Sequence, residues 1–192
     1  MSTVYPLLRS IGWITLAFLV TCASVRVATM RSNARELPLR DVLHELLSVP
    51  CPMWLPDLLL LTCFFVSLFE FIIPSEALVR RACLCYLLRA LTMAVTSFPA
   101  CAPPMDPAVE GRWPLAHVLW GRHDLMFSGH TIAFLAYADL WDTCDDPWAR
   151  TRGAQRVVRW LLPWTLVWAR QHYTVDVIVA YVAYVALGGS LK

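Results

Sequence analysis

Read from the amino terminus, the chain alternates long apolar runs with short polar stretches. A membrane-crossing helix needs about 20 mostly apolar residues, with a range of about 17–25. The run "GWITLAFLVTCASVRVATM" predicts a first span over roughly residues 8–30. "DLLLLTCFFVSLFEFII" predicts a second at about 57–73, ended by Pro74, and "ACLCYLLRALTMAVTSF" a third at about 82–98, ended by Pro99. "FSGHTIAFLAYADLW" gives a fourth at about 127–142, and "VVRWLLPWTLVWA" a fifth at about 157–169, kinked at Pro163. "TVDVIVAYVAYVALGG" gives a sixth at about 174–190. The fourth and fifth fall short of the length rule, so neighbouring helices are expected to cover them. Between the first two runs, "RDVLHELL" predicts a short amphipathic helix lying in the interface. The proline-rich stretch "PACAPPMDPAVEGRWPLAHVLWGRHD" is too polar and too broken to span. The pattern predicts an all-α fold, a polytopic membrane protein with a six-transmembrane-helix bundle, and a single transmembrane domain over residues 1–192.

Composition sharpens this picture. The 192 residues are 58% hydrophobic and only 16% charged, and the mean hydropathy is +0.56. Soluble domains carry about 45–50% apolar and about 25% charged residues. Nine tryptophans and six tyrosines suit a protein with two water–lipid boundaries to line. The first run is long and leads into further apolar runs, which favours a retained span over a cleaved leader. A net charge of +2, without a basic stripe, gives no reason to expect nucleic acid. The seven cysteines form no CxxC pair and no zinc-site spacing. Cys22, Cys63, Cys83 and Cys85 read as small core residues, while a bridge between Cys51 and Cys101 is open on sequence grounds.

Lysine and arginine near the span ends set orientation. With a cytosolic amino terminus, Arg80, Arg81, Arg150, Arg152, Arg156, Arg159 and Lys192 fall inside. Arg31, Arg35, Arg40, Arg112, Arg122 and Arg170 fall outside. Parity matters more. His130 opens the fourth span and His172 precedes the sixth, so with six spans both lie on one membrane face, together with Asp124 and Asp176.

Two short motifs then acquire chemical meaning. In "HYTVD", His172 and Asp176 stand four residues apart, on one side of a helix. A carboxylate on one imidazole nitrogen fixes the tautomer and raises the basicity of the other, the base-and-orienter arrangement of nucleophilic catalysis. The plainer reading is a capping pair at a helix end. In "FSGHT", Ser128 is a good N-cap, Gly129 allows close backbone approach, and His130 falls in the first turn. A helix N-terminus, with free N–H groups and positive potential, suits a phosphate. Together the motifs read as phosphoryl transfer through two histidines and an aspartate. Glu70 and Asp139 are expected at solvated cytosolic span ends. His44 and His117 are expected to be structural or solvated, and His123 adjoins Asp124.

These stretches, "GRHDLMFSGHT" and "ARQHYTVDVIVAYV", resemble two signature motifs of the sphingomyelin synthase family, within the wider lipid phosphatase/phosphotransferase superfamily. "CPMWLPD", with Pro52, Leu55, Pro56 and Asp57, resembles its first motif. "RRACLCYLLRALTMAVT", with Arg80, Arg81, Tyr86, Arg89 and Thr96, resembles its second. The resemblance covers roughly residues 50–182. Arg122 and His123 depart from the Cys-Gly pair usual before the aspartate aligned with Asp124. The resemblance implies transfer of a phospho-headgroup from a glycerophospholipid to the ceramide primary hydroxyl, releasing diacylglycerol. It implies a catalytic set of His130, His172 and Asp176. His172 would carry the headgroup as a phosphohistidine while His130 alternates as acid and base. Arg89 is a candidate to neutralise phosphate charge, with Tyr86, Ser128, Gly129 and Asp124 around the substrate. No metal or other cofactor is expected. The Golgi or plasma membrane is implied, with the site on the exoplasmic or luminal face and the bilayer as partner, and a homo-oligomer is left open.

Phosphocholine or phosphoethanolamine is favoured as the headgroup, because Asp124 tilts the site toward a cation. Alternatives are an inositol phosphorylceramide synthase, a phosphatidylcholine:diacylglycerol cholinephosphotransferase, a lipid phosphate phosphatase and a non-catalytic membrane scaffold. The phosphatase pattern carries a lysine upstream of the SGH motif, whereas the sole lysine here is Lys192. A scaffold with relic motifs would be expected to lack a member of the set.

Overall fold

The computed structural model describes residues 4–31, 38–69, 74–96, 98–99, 101, 126–142 and 149–188. Every regular element among them is a helix, in agreement with the all-α expectation. These are α1 (Val4–Arg31), α2 (Val42–Leu46), α3 (Leu55–Phe69), α4 (Glu76–Val95), α5 (Gly129–Asp142), α6 (Ala149–Trp160), α7 (Leu162–Trp168) and α8 (Thr174–Ala186). Glu70, Arg35, Arg112, His117, Cys144 and Lys192 lie outside the described residues.

Among the described residues one segment, the 24-residue Tyr5–Ala28, is long and apolar enough to cross a membrane. Leu55–Phe69 and Thr174–Ala186 are apolar but shorter. The single kinked fifth span is corrected to two helices. The chain breaks at Leu161, and Pro163 sits in the first turn of α7, where its missing N–H would be unsatisfied in any case. At 1.5 Å per residue, α6 and α7 are about 18 and 10 Å long.

Helix α5 is the hub, packing against α3, α4, α6, α7 and α8, while α1 lies along α4. The surface inverts the pattern of a water-soluble domain. Large apolar side chains point outward from α1, α3, α4 and α8, among them Phe18, Phe64, Leu91 and Val182. Charged and polar groups lie inside instead: Arg89, Asp139, Arg159, His172 and Asp176 are all buried. Exposed apolar side chains on this scale mark a surface that meets another apolar one.

Asp139 corrects an expectation. It is 5% exposed rather than solvated, and its carboxylate accepts hydrogen bonds from Arg159 at 2.6 Å, Arg81 at 3.1 Å and the Tyr184 hydroxyl at 2.9 Å. Three helices besides its own thus supply the groups that keep this charge inside. The pairing of Cys51 and Cys101, left open by the sequence, is not made in the structure. Each is turned to its own backbone acceptor, Cys51 to Thr165 O at 3.8 Å and Cys101 to Arg170 O at 3.0 Å.

Candidate active site

Helices α5 and α8 start side by side, and their first turns build the site. Ser128 caps α5: its Oγ accepts the Thr131 N–H at 3.1 Å and its carbonyl accepts the Ile132 N–H at 3.2 Å. Ser128 N–H in turn donates to the carbonyl of Asp176 at 3.3 Å, joining the two helix starts. The rings of His130 and His172 therefore meet, with centroids 6.4 Å apart and planes at 63°.

Asp176 does two jobs at once. Its Oδ2 accepts from His172 Nδ1 at 3.2 Å and from the Tyr173 N–H at 2.9 Å, and its Oδ1 accepts the Met126 N–H at 2.8 Å. The bond to Tyr173 N–H is half of a capping box, and the bond to the imidazole fixes the Nδ1–H tautomer. Capping and orienting are thus one arrangement here rather than rival readings. The remaining lone pair of His172 is on Nε2. Met126 holds φ at 105°, a region that non-glycine residues rarely adopt. Burial is the largest influence on His172 and holds its pKa below the ordinary histidine range, against the opposing hydrogen bond and charge of Asp176.

His130 has a partner to which the sequence assigned no role. Its Nε2 lies 2.9 Å from Asp57 Oδ1, at the start of α3. The other oxygen, Asp57 Oδ2, accepts from Gln171 Nε2 at 3.3 Å. Asp57 was visible only as the last residue of the "LPD" stretch, and Gln171 only as the neighbour of His172.

Arg89 is 5% exposed, and its Nε donates to the Phe127 carbonyl at 3.0 Å. Tyr86 donates its hydroxyl to the Gly129 carbonyl at 2.9 Å. Gly129 makes this close packing of α4 on α5 feasible. A Cβ there would lie 3.2 Å from both Arg89 Nε and Tyr86 Cε1, so the glycine first serves approach by these side chains. Asp124, Arg122, His123 and Trp113 lie outside the described residues.

A cavity of about 520 Å³ runs between α1, α3, α4 and α5. One end is formed by His130, Arg89 and Tyr86, the other by Pro74, Leu78 and Leu140, and the walls are mostly apolar. Its volume is in the range of small-molecule sites. Among the described residues, no group of three or more His, Cys, Asp or Glu is arranged to hold a metal ion.

Residues 123–188 match the family model described as PAP2 superfamily C-terminal. The match contains Ser128, Gly129, His130, His172 and Asp176, and it ends just beyond α8. No curated protein matches the chain.

Proposed function

We propose that this chain, whose residues 123–188 match the family model described as PAP2 superfamily C-terminal, is a multi-span membrane phosphotransferase that moves a phospho-headgroup between lipids. The observation that carries the reading is the facing pair of histidines, His172 oriented by Asp176 and His130 held by Asp57 at one end of an apolar cavity. The cavity suits a lipid chain, and its polar end suits the phosphate that the chain carries.

In the first half-reaction, His172 Nε2 attacks phosphorus and forms a P–N bond. The P–O bond to the lipid breaks, and the departing oxygen takes a proton from His130. In the second, His130 takes the proton of an acceptor hydroxyl, whose oxygen attacks phosphorus and releases His172. One residue serving as acid and then base closes the proton balance. Arg89, buried beside the cavity mouth, offers positive charge to the phosphoryl oxygens. The burial that lowers the His172 pKa keeps the ring neutral and nucleophilic near pH 7.

The donor is a glycerophospholipid and the acceptor the primary hydroxyl of ceramide, with phosphocholine or phosphoethanolamine favoured as headgroup. The resemblance of all four motifs to sphingomyelin synthases supports this choice. The site lies on the exoplasmic or luminal face, and the apolar exterior of α1, α3, α4 and α8 meets the bilayer. A phosphatase, with water as acceptor, would use the same histidines, and the family match covers that reading too.

The test is a donor panel in detergent: phosphatidylcholine, phosphatidylethanolamine, phosphatidylinositol and a lipid phosphate, each with and without labelled ceramide. A labelled phosphosphingolipid from one donor, absent with His172→Ala, supports the transferase. Release of inorganic phosphate from the lipid phosphate alone would replace it with the phosphatase.

A further inference from the structure

Asp176 closes only part of the first turn of α8 from within the helix. A helix leaves its first N–H groups without intrahelical partners, and an N-cap side chain usually accepts one of them. The N-cap of α8 is Tyr173, which makes no such bond. The acceptor comes from far away in sequence. Asp41 Oδ2 accepts the Thr174 N–H at 2.6 Å, and Asp41 Oδ1 accepts the Thr174 hydroxyl at 2.7 Å. The same Oδ1 caps α2, accepting from Leu43 N–H at 2.9 Å and His44 N–H at 3.4 Å. One carboxylate therefore holds the beginnings of two helices.

The neighbouring bonds follow the same plan. His44 Nε2 donates to the His172 carbonyl at 3.1 Å, and the Leu39 N–H donates to the Tyr173 hydroxyl at 2.9 Å. Three consecutive residues, His172, Tyr173 and Thr174, are each tied to the segment 39–44. Arg170 adds a bond to the His44 carbonyl at 3.3 Å. Helix α2 itself has no buried residue, so it adds little to the core. Its polar contacts converge on the stretch that carries the nucleophile.

We propose that residues 39–47 form a strap that positions His172, with Asp41 and His44 as its positioning residues. Asp41 supplies the acceptor for the first N–H of α8 and His44 holds the backbone of the nucleophile. His172 thereby stays buried against Asp176 with Nε2 presented. The proposal rests on His172 being the phosphoryl carrier, although the geometry of the strap does not depend on the identity of the lipid.

Burial alone would raise the Asp41 pKa. The bonds from Thr174 and His44 outweigh it and hold the carboxyl below its usual range. The strap is therefore ionised and closed throughout the neutral range.

The test reads His172 directly. Ring-labelled histidine is incorporated into the whole protein in detergent micelles, and the His172 signal is identified by its loss in His172→Gln. Its titration is then compared between the parent and Asp41→Asn, which presents an N–H₂ to a donor in place of one carboxylate oxygen. The charged and titratable groups around this ring are Asp176 on α8, His130 on α5, Arg89 on α4 and His44 on α2. None of these is altered by the substitution. Release of the strap hydrates the ring and removes its largest pKa influence, so the midpoint rises by about 0.5 pH or more. In a lipid-transfer assay kcat falls about tenfold with KM little changed, the signature of lost positioning rather than lost binding.

Thr174→Val removes one hydroxyl donor and gives a smaller rise, which keeps the test available should Asp41→Asn fail to fold. Thr174→Ser keeps the parent midpoint. An unchanged His172 midpoint in folded Asp41→Asn and Thr174→Val would overturn the strap and leave Asp41 an ordinary helix cap. A midpoint that moves in a protein without transfer activity supports the strap and removes the phosphotransferase reading instead.

Discussion

The two ends of helix α5 each bring a buried carboxylate together with basic groups, and they finish the arrangement differently. At the far end, Asp139 is surrounded by Arg81, Arg159 and the Tyr184 hydroxyl, and Arg159 is wholly buried. At the start of α5, where Ser128 N–H meets the Asp176 carbonyl, Asp176 of α8 is also buried but spends its bonds on two backbone N–H groups and one imidazole. The other nitrogen of that imidazole keeps its lone pair, and the facing His130 sits at the end of a cavity. A carboxylate among arginines locks helices together. A carboxylate behind an imidazole passes its influence on to a group that can react.

The sharpest break of this comparison is His172→Ala. Removal of the proposed nucleophile is expected to lower kcat about 10⁴-fold or more, with little change in thermal stability, as read by transfer assay and melting in parallel. Asp139→Asn should do the reverse. It removes the carboxylate shared by the buried Arg159 and the half-buried Arg81 and is expected to cost about 3–5 kcal/mol, measured by denaturant unfolding in detergent, with kcat of the folded protein unchanged. Replacing Arg81, Asp139 and Arg159 together by apolar residues of similar volume should recover much of that loss.

Asp57→Asn acts on the reactive end through His130. It should lower kcat about tenfold, less than the 10²–10⁴ that a complete general acid contributes. The pH profile sharpens the same point. The His172 pKa is depressed by burial, so its neutral form persists below the ordinary histidine value of about 6.5. The acid limb of kcat/KM should therefore lie below about 6.5. The stability tied to the neutral ring is present above that pH and lost as pH falls through the lowered pKa. Trp141→Phe is the smallest change. It removes the 2.8 Å bond from the indole to Ser67 Oγ and should cost about 1 kcal/mol, with no effect on catalysis.

What was legible in the sequence was local. Ser128 as a cap, His130 in a first turn and the four-residue spacing of His172 and Asp176 depend on neighbours along one helix, and the helices form where the apolar runs lie. The partners from other helices were not legible. Asp57 reaches His130 across 73 positions and Asp41 reaches Thr174 across 133, and no periodicity encodes such pairings. The same limit explains Asp139. An acidic residue near a span end reads as solvated until the arginines of two other helices are seen to converge on it. The fifth span failed for a different reason. Pro163 reads in sequence as a kink within one helix, but it begins one, because the polar run before it forms its own helix, α6.

The central claim is that His172 carries the phosphoryl group, and the most direct measurement is to trap it. Protein in detergent is mixed with phospholipid labelled with ³²P, quenched in alkali during turnover, and examined for label bound to the chain. The account predicts an alkali-stable, acid-labile phosphohistidine that maps to His172 and is absent from His172→Ala. Turnover without such label, or label that survives in His172→Ala, would contradict it.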